Sequence, residues 1–337
     1  MNTKANYKEI IGIDVSKDSF DAYLYFSAKH SKFNNEFKGF TGLLQWLKEK
    51  SSADKGQRLF IFEHTGVYSE SLANFLSAKE EHFAIVSGLE VKRSIGIKRG
   101  KSDKIDARVL AEYGYRFQDK IELTKLASEN LRGLKKLLSQ REHYTKQLVE
   151  IKNRIKNLEE GKENLDSIEI KILDRDKQFL EEIKQFIKDI ETQIDALLES
   201  DEQIKALVEL IQTVPGVGKL TALYLIAYTE GFTKFKTWRK FASYIGIAPF
   251  PYSSGTSISG KTKVSHLANK LLKSKLYNVV LAAVRFDPEL KKYYQRKLAE
   301  GKHTMSVLNA VKNKIIARVF AVVKRGTPYV NFMSFAN

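Results

Sequence analysis

The stretch "IGIDVSKDSF", residues 11–20, decides the fold. A short apolar run ends on a carboxylate, Asp14, and the chain then turns back into "FDAYLYF" (20–26), in which Ala22, Leu24 and Phe26 alternate. The first run, "EIIGIDV" (9–15), reads as a buried strand and the second as its neighbour, because successive side chains on a strand point to opposite faces. Outward from there, "KFNNEF" (32–37) is a weaker third strand and "FTGLLQWLKEK" (40–50) a helix opened by Thr41. The strand "RLFIFEH" (58–64), the helix "SESLANFLSAKE" (69–80) and the strand "HFAIVSG" (82–88) come next. A basic segment then leads into the helix "SDKIDARVLAEYGYRF" (102–117). Three strands, then helix, strand, helix, strand and helix, is the order of a ribonuclease H-like domain of mixed α/β class.

A charge at the end of a buried strand needs partners. Glu63 ends another predicted strand, and Asp103 and Asp106 stand three apart on one helix, so they share a face. In a ribonuclease H-like sheet the first and fourth strands are neighbours and the last helix lies across them, which brings the four carboxylates to one edge. Their repulsion would be severe without cations between them. Hard oxygen ligands suit Mg²⁺ or Mn²⁺, and two such ions about 4 Å apart would clamp the attacking and leaving oxygens of a phosphodiester. Each carboxylate taken singly has a plainer explanation. Asp14 is also a turn residue, Asp103 also an early helix residue favoured by the dipole with Ser102 as its cap, and His64 beside Glu63 also a packed or solvent-facing histidine. Only the constellation argues for chemistry.

Composition points to the same class of partner. The 337-residue chain carries 57 Lys plus Arg against 40 Asp plus Glu, a formal charge of +17, which suggests a polyanion such as nucleic acid. Residues 201–337 hold 22 basic and 7 acidic residues, residues 121–200 hold 15 and 17, and the first 120 positions carry a net +4. The start lacks the apolar segment of a signal peptide, and runs such as "LYLIAY" and "IIARVFAVV" are too short to span a bilayer. Without cysteine there is no disulfide framework or thiolate metal site. The expectation is a cytoplasmic protein with no membrane partner.

Three domains are expected. Residues 1–120 form the catalytic α/β domain, and residues 121–205 a coiled-coil helical hairpin. In the hairpin Leu180, Ile183, Ile187, Ile190, Ile194 and Leu197 form a heptad seam, Leu148, Ile151, Ile155 and Leu158 a shorter one, and "EEGKENLD" (159–166) the turn. It reads equally as a spacer or as a surface for pairing with a second subunit. Residues 206–337 form a mainly helical domain.

Three stretches, "IGIDVSKDSFDAYL", "FEHTGVYSESLANFL" and "KSDKIDARVLAEY", resemble the successive catalytic blocks of the DEDD transposases of the IS110 insertion-sequence family, which includes the Piv-type DNA invertases. "LIQTVPGVGKLTALYLIAY", "WRKFASYIGIAPFPYSSGTSISGKTKVS" and "KRGTPY" resemble that family's C-terminal transposase domain. The resemblance covers nearly the whole chain, most weakly the helical middle. It implies that Asp14, Glu63, Asp103 and Asp106 are a RuvC-like metal tetrad and that Ser254 is a serine nucleophile. It further implies a dimer or tetramer in which one subunit's serine meets another's metals, acting on donor and target DNA. The last implied partner is a noncoding bridge RNA that supplies sequence specificity by base pairing.

A serine hydroxyl is a poor nucleophile until its deprotonation is eased, which a metal-bound phosphate and nearby carboxylates would do. The small residues of "SSGTSISGKTK" (253–263) would let DNA backbone approach, with Lys261 and Lys263 on phosphates. Ser253 is the immediate competitor of Ser254, ahead of Ser257 and Ser259. Lys92, Arg93, Lys98, Arg99, Lys101 and Lys104 crowd the approach to Asp103 and suggest a phosphate-binding strip, against the plainer reading of a solvated loop. "VPGVGK", with Gly216 and Gly218, resembles the turn of a helix-hairpin-helix unit, whose backbone N–H groups hold phosphate. Trp238, Phe250 and Tyr252 are either base-stacking or core aromatics. The chain departs from the family's pattern after the serine loop, at His266, Ala268 and Lys273.

Rival classes are an actin-like ATPase, for which no glycine-rich adenosine motif follows, and an inactive nucleic-acid scaffold, against which the intact carboxylates argue. Among enzymes the alternative is a RuvC-like structure-specific endonuclease that sends water at the phosphate.

Overall fold

The computed structural model describes residues 7–96, 102–160, 165–254, 258–264 and 268–330. The chain divides into two compact units, residues 1–126 and 127–337.

The first unit is a mixed five-stranded sheet with helices on both faces. Its elements are β1 (Glu9–Val15), β2 (Ser19–Leu24), β3 (His30–Asn34), α1 (Phe37–Lys50), β4 (Arg58–Glu63), α2 (Val67–Ala78), β5 (His82–Val86), α3 (Gly88–Ile95) and α4 (Asp103–Phe117). Strand order is β3-β2-β1-β4-β5, with β1 antiparallel to β2 and parallel to β4. This arrangement is consistent with a ribonuclease H-like α/β domain. Alternation along the strands sorts the core into two layers. Ile11, Ile13, Phe20, Ala22, Leu24, Phe60 and Phe62 pack with Leu43, Leu47, Leu72 and Leu76 of α1 and α2. Ile10, Leu59, Ile61 and Ala84 pack on the other face with Val91, Leu110 and Tyr113 of α3 and α4.

Differences from the sequence expectations are local. Helix α1 starts at Phe37, and Thr41 lies inside it, its hydroxyl donating back to the carbonyls of Phe37 and Lys38. The third strand ends at Asn34 rather than running on to Phe37. The basic segment, for which the sequence predicts no helix, contains α3, which carries Lys92 and Arg93 in its last turn.

In the second unit, α5 (Glu129–Glu160) and α6 (Ser167–Ser200) form the long antiparallel hairpin. Ile151, Ile155, Leu173 and Ile183 are its distal core, and Arg154 pairs there with the buried Asp176. Toward the base of the hairpin, Leu134, Leu138, Ile190, Ile194 and Leu198 join the core of the helices that follow. Those are α7 (Glu202–Gln212), α8 (Lys219–Thr229), α9 (Trp238–Tyr244), α10 (Lys270–Phe286), α11 (Pro288–Ala299) and α12 (Thr304–Arg325). Between α9 and α10 lies a two-stranded hairpin, β6 (Pro249–Ser254) and β7 (Ile258–Val264). Among the described residues no helix is long and apolar enough to cross a membrane.

Candidate active site at the carboxyl ends of β1 and β4

Gly12 is why the helix α4 can reach the site. A Cβ at this position would stand 2.0 Å from the Ala107 carbonyl oxygen and 2.3 Å from the Ala111 nitrogen, so α4 lies directly on the backbone of β1. Gly114, farther along the same helix, is equally tight, its missing Cβ lying 2.7 Å from side-chain atoms of Ile10 and Ile61. These contacts run α4 antiparallel to β1, so its first turn, with Asp103 and Asp106, comes down beside the end of β1. Ser102 caps that turn, its hydroxyl accepting from the Ile105 N–H.

Strand parity supplies the other two carboxylates. Ile13 pairs with Phe62 across the parallel β1–β4 ladder, so the next residues, Asp14 one short of the end of β1 and Glu63 at the end of β4, stand at the same level of neighbouring strands. Both follow inward residues of the opposite layer and therefore lie on the α4 side of the sheet. Glu63 is seated against the start of α3: a Cβ on Gly88 would meet its Oε2 at 2.3 Å. The glycine thus leaves a cradle just wide enough for that carboxylate.

The electrostatics follow from this crowding. The Asp14 carboxyl is pushed up to about 6, first by burial and then by the charges of Asp106, Asp103, Glu63 and Asp21. Asp21 is a carboxylate that the sequence reading missed. It pairs with Asp14 across the β1–β2 ladder, is buried, and is held by His30 Nε2 at 2.6 Å and Lys32 Nζ at 3.7 Å. Lys32 also reaches Asp103 Oδ2 at 3.8 Å. The signal for Asp21 was present in "FDAYLYF": with Phe20, Ala22 and Leu24 facing one core layer, residue 21 must face the other. His64 is exposed, with Nδ1 accepting from the Gly66 N–H, as befits a solvent-facing histidine.

The fit to divalent cations rests on the donor set. Asp14, Glu63, Asp103 and Asp106 offer only hard oxygens, in a partly buried place whose excess negative charge already raises Asp14. Among the described residues no group of three or more such side chains is arranged to hold a metal ion. What the four share is proximity: Asp106, Asp103 and Glu63 lie close enough to Asp14 for their charges to raise it.

Of the other expected residues, Lys92, Arg93 and Lys104 are exposed on α3 and on the first turn of α4, whereas Lys98, Arg99 and Lys101 lie outside the described residues. Helix α3 is tied to α4 by the Tyr113 hydroxyl, which donates to Glu90 at 2.9 Å. In the second unit, Ser254 ends β6 and pairs with Ile258 of β7, and Lys261 and Lys263 lie along β7. Gly218 caps α8 and has open space where a side chain would be. Gly216 has a packing reason of its own: at φ +86° its missing Cβ would lie 2.7 Å from the Val279 carbonyl oxygen. Trp238 is partly buried against the helical core with Arg239 over its ring, and Phe250 is exposed. His266 lies outside the described residues, Ala268 precedes α10, and Lys273, on α10, accepts through its carbonyl from Lys312 Nζ.

A mixed sheet with acidic residues near the ends of neighbouring parallel strands and on the helix across them is consistent with a DEDD-type nucleotidyl-transfer enzyme. Residues 11–160 match the DEDD transposases of the IS110 type, and residues 208–295 match the family described as "Transposase IS116/IS110/IS902 family". The chain is 30% identical over 329 residues to the pilin gene-inverting protein of Moraxella lacunata, covering 96% of this chain and 98% of that one. The Moraxella bovis protein of the same name matches to the same extent. An IS110 protein of 43.6 kDa from Streptomyces coelicolor is 37% identical over 145 residues, which is 43% of this chain and 34% of that one. The chain belongs to the IS110 family of DEDD transposases, and it is a DNA transposase or recombinase. Its family uses divalent metal.

Proposed function

We propose that this protein is the recombinase of an insertion sequence, which cuts and reseals DNA through a serine-linked phosphate at a site that uses Mg²⁺ or Mn²⁺. The observation that carries the reading is the convergence of Asp106, Asp103 and Glu63 on the half-buried Asp14. Carboxylates so crowded weaken the fold unless the site exists to hold cations. Asp14, Glu63, Asp103 and Asp106 would be the ligands, and the bound ions would supply charge neutralisation and polarisation of the scissile phosphate.

The remaining chemistry belongs to the chain. Ser254 Oγ would attack phosphorus, forming a P–Oγ bond as a bridging P–O bond breaks, with the serine proton relayed through base or solvent to the bridging oxygen, which leaves as a DNA hydroxyl. One phosphodiester replaces another, so a DNA hydroxyl can reverse the exchange and rejoin the strand. That economy suits a protein whose Moraxella relatives are named for gene inversion. Ser254 is the last residue of β6, whose partner strand β7 carries Lys261 and Lys263; these lysines would contact phosphates. Lys92, Arg93 and Lys104 flank the carboxylates for the same purpose. A bridge RNA would carry sequence choice, the protein reading backbone and shape, in a dimer or tetramer whose sites combine one subunit's carboxylates with another's serine.

The test is to express the gene with its native flanking DNA, purify the protein in moderate salt and sequence the RNA that accompanies it. A discrete RNA from the flank, together with recombination of a plasmid bearing the flanks that Asp14→Asn abolishes, is the expected result. Bulk degraded RNA alone would set aside the guided reading.

A further inference from the structure

Asn35 lies between β3 and α1 and carries no charge, yet it touches both the turn that follows β1 and the start of the helix that follows β4. Its side-chain Nδ2 donates to the carbonyls of Ser16 at 3.0 Å and Lys17 at 3.4 Å, just beyond Asp14. The same nitrogen donates to the carbonyl of Tyr68 at 3.0 Å, in the first turn of α2 just beyond Glu63. With three carbonyl oxygens around it, this end of the amide must be the nitrogen. The other end, Oδ1, is buried and has no hydrogen-bond partner among the described residues, so the contacts the side chain makes there are through its donors.

The residue is itself anchored. Its backbone N–H donates to the Asp18 carbonyl at 3.0 Å, fixing it to the β1–β2 turn. Behind it, Gly39 of α1 lets the helix close on the Asn34 carbonyl, which a Cβ would meet at 1.9 Å. Both clamped segments are stiffened within: Ser16 Oγ donates to the Ser19 carbonyl at 2.6 Å, and Ser69 Oγ accepts from the Thr65 N–H at 3.1 Å. The amide thus ties the turn after β1 to the start of α2, just beyond the point where the β1–β4 ladder ends at Ile13 and Phe62.

We propose that Asn35 is a positioning residue for the metal site, fastening the turn after β1 to the first turn of α2 and so helping to fix the distance between the Asp14 and Glu63 carboxylates. This rests on the reading of those two residues as metal ligands. Groups that orient metal ligands without touching the ion typically matter by about 10- to 100-fold in affinity.

The test compares full-length wild type, Asn35→Ala and Asp14→Asn for Mn²⁺ affinity, by the electron paramagnetic resonance signal of free Mn²⁺ without DNA. Amide hydrogen exchange of segments 14–19 and 63–69 is followed in parallel. The expected result for Asn35→Ala is a cooperative melt, Mn²⁺ affinity lowered about 10-fold or more, and faster exchange confined to those two segments. Wild-type affinity in Asn35→Ala, with affinity lost in Asp14→Asn, overturns the proposal and leaves the metal reading standing. Wild-type affinity in Asp14→Asn overturns both. Should Asn35→Ala melt without cooperativity, Asn35→Ser, which keeps one donor near the same place, is judged by the same criteria.

Discussion

A methyl group added at Gly12 would collide with helix backbone, whereas one added at Gly88 would meet only the far end of a side chain, Glu63. The two substitutions should therefore separate stability from function. Gly12→Ala must push α4 off β1 and is expected to cost about 1–3 kcal/mol or more, read as a lowered denaturation midpoint. Gly88→Ala is expected to fold with a midpoint near wild type, because a carboxylate can swing aside, but to lose DNA strand transfer by about 100-fold, since small displacements of a catalytic group are that costly. Asp14 adds a pH signature. A carboxyl raised to about 6 in the folded state binds its proton more tightly there than in the unfolded chain, whose value is near 3.9. Its favourable contribution is present below about pH 4 and is lost as pH rises through 6. Metal-free Asp14→Asn should thus equal the wild type near pH 4 and exceed it at pH 7 by about 1–2 kcal/mol, after allowance for solvent screening. Chemical denaturation across that range in chelator measures the difference.

At the scale of elements, the buried Asp176 of α6 depends on Arg154 of α5. Arg154→Ala leaves that carboxylate uncompensated and should loosen the distal hairpin by about 1–3 kcal/mol, seen as faster proteolysis within residues 150–180 while the first unit stays intact. The heptad seam that contains Ile183, Ile190 and Ile194 was legible because a helical period needs no knowledge of the partner. So were the strands ending on Asp14 and Glu63, and Ser102 as cap of α4, each written in a few consecutive residues. Helix α3 was not, because "GLEVKRSI" buries Val91 under a tertiary contact and otherwise reads as a charged loop. Asp21 joined the site only once the β1–β2 register was known, and Gly12 and Gly88 explain themselves only by what lies over them. Properties that depend on a cross-chain neighbour are the ones a single strand of text conceals.

The whole chain carries +17, concentrated in its last third, so association with duplex DNA should be dominated by phosphate contacts and released counterions. Affinity for an unrelated duplex is expected to fall by about 10³-fold or more between 50 and 200 mM salt, on the order expected for six to ten phosphate contacts. A binding isotherm by fluorescence anisotropy would show it. The proposal that Ser254 and the carboxylates around Asp14 serve one phosphoryl exchange has a direct readout. Wild type, Ser254→Ala and Asp14→Asn are incubated with end-labelled DNA bearing the element's junctions, the copurified RNA and Mg²⁺, then denatured and resolved for covalently attached label. A protein–DNA adduct in wild type and none in either variant, with cleavage lost in both, is the result this account predicts. Undiminished cleavage without an adduct in Ser254→Ala would contradict it and make water the nucleophile.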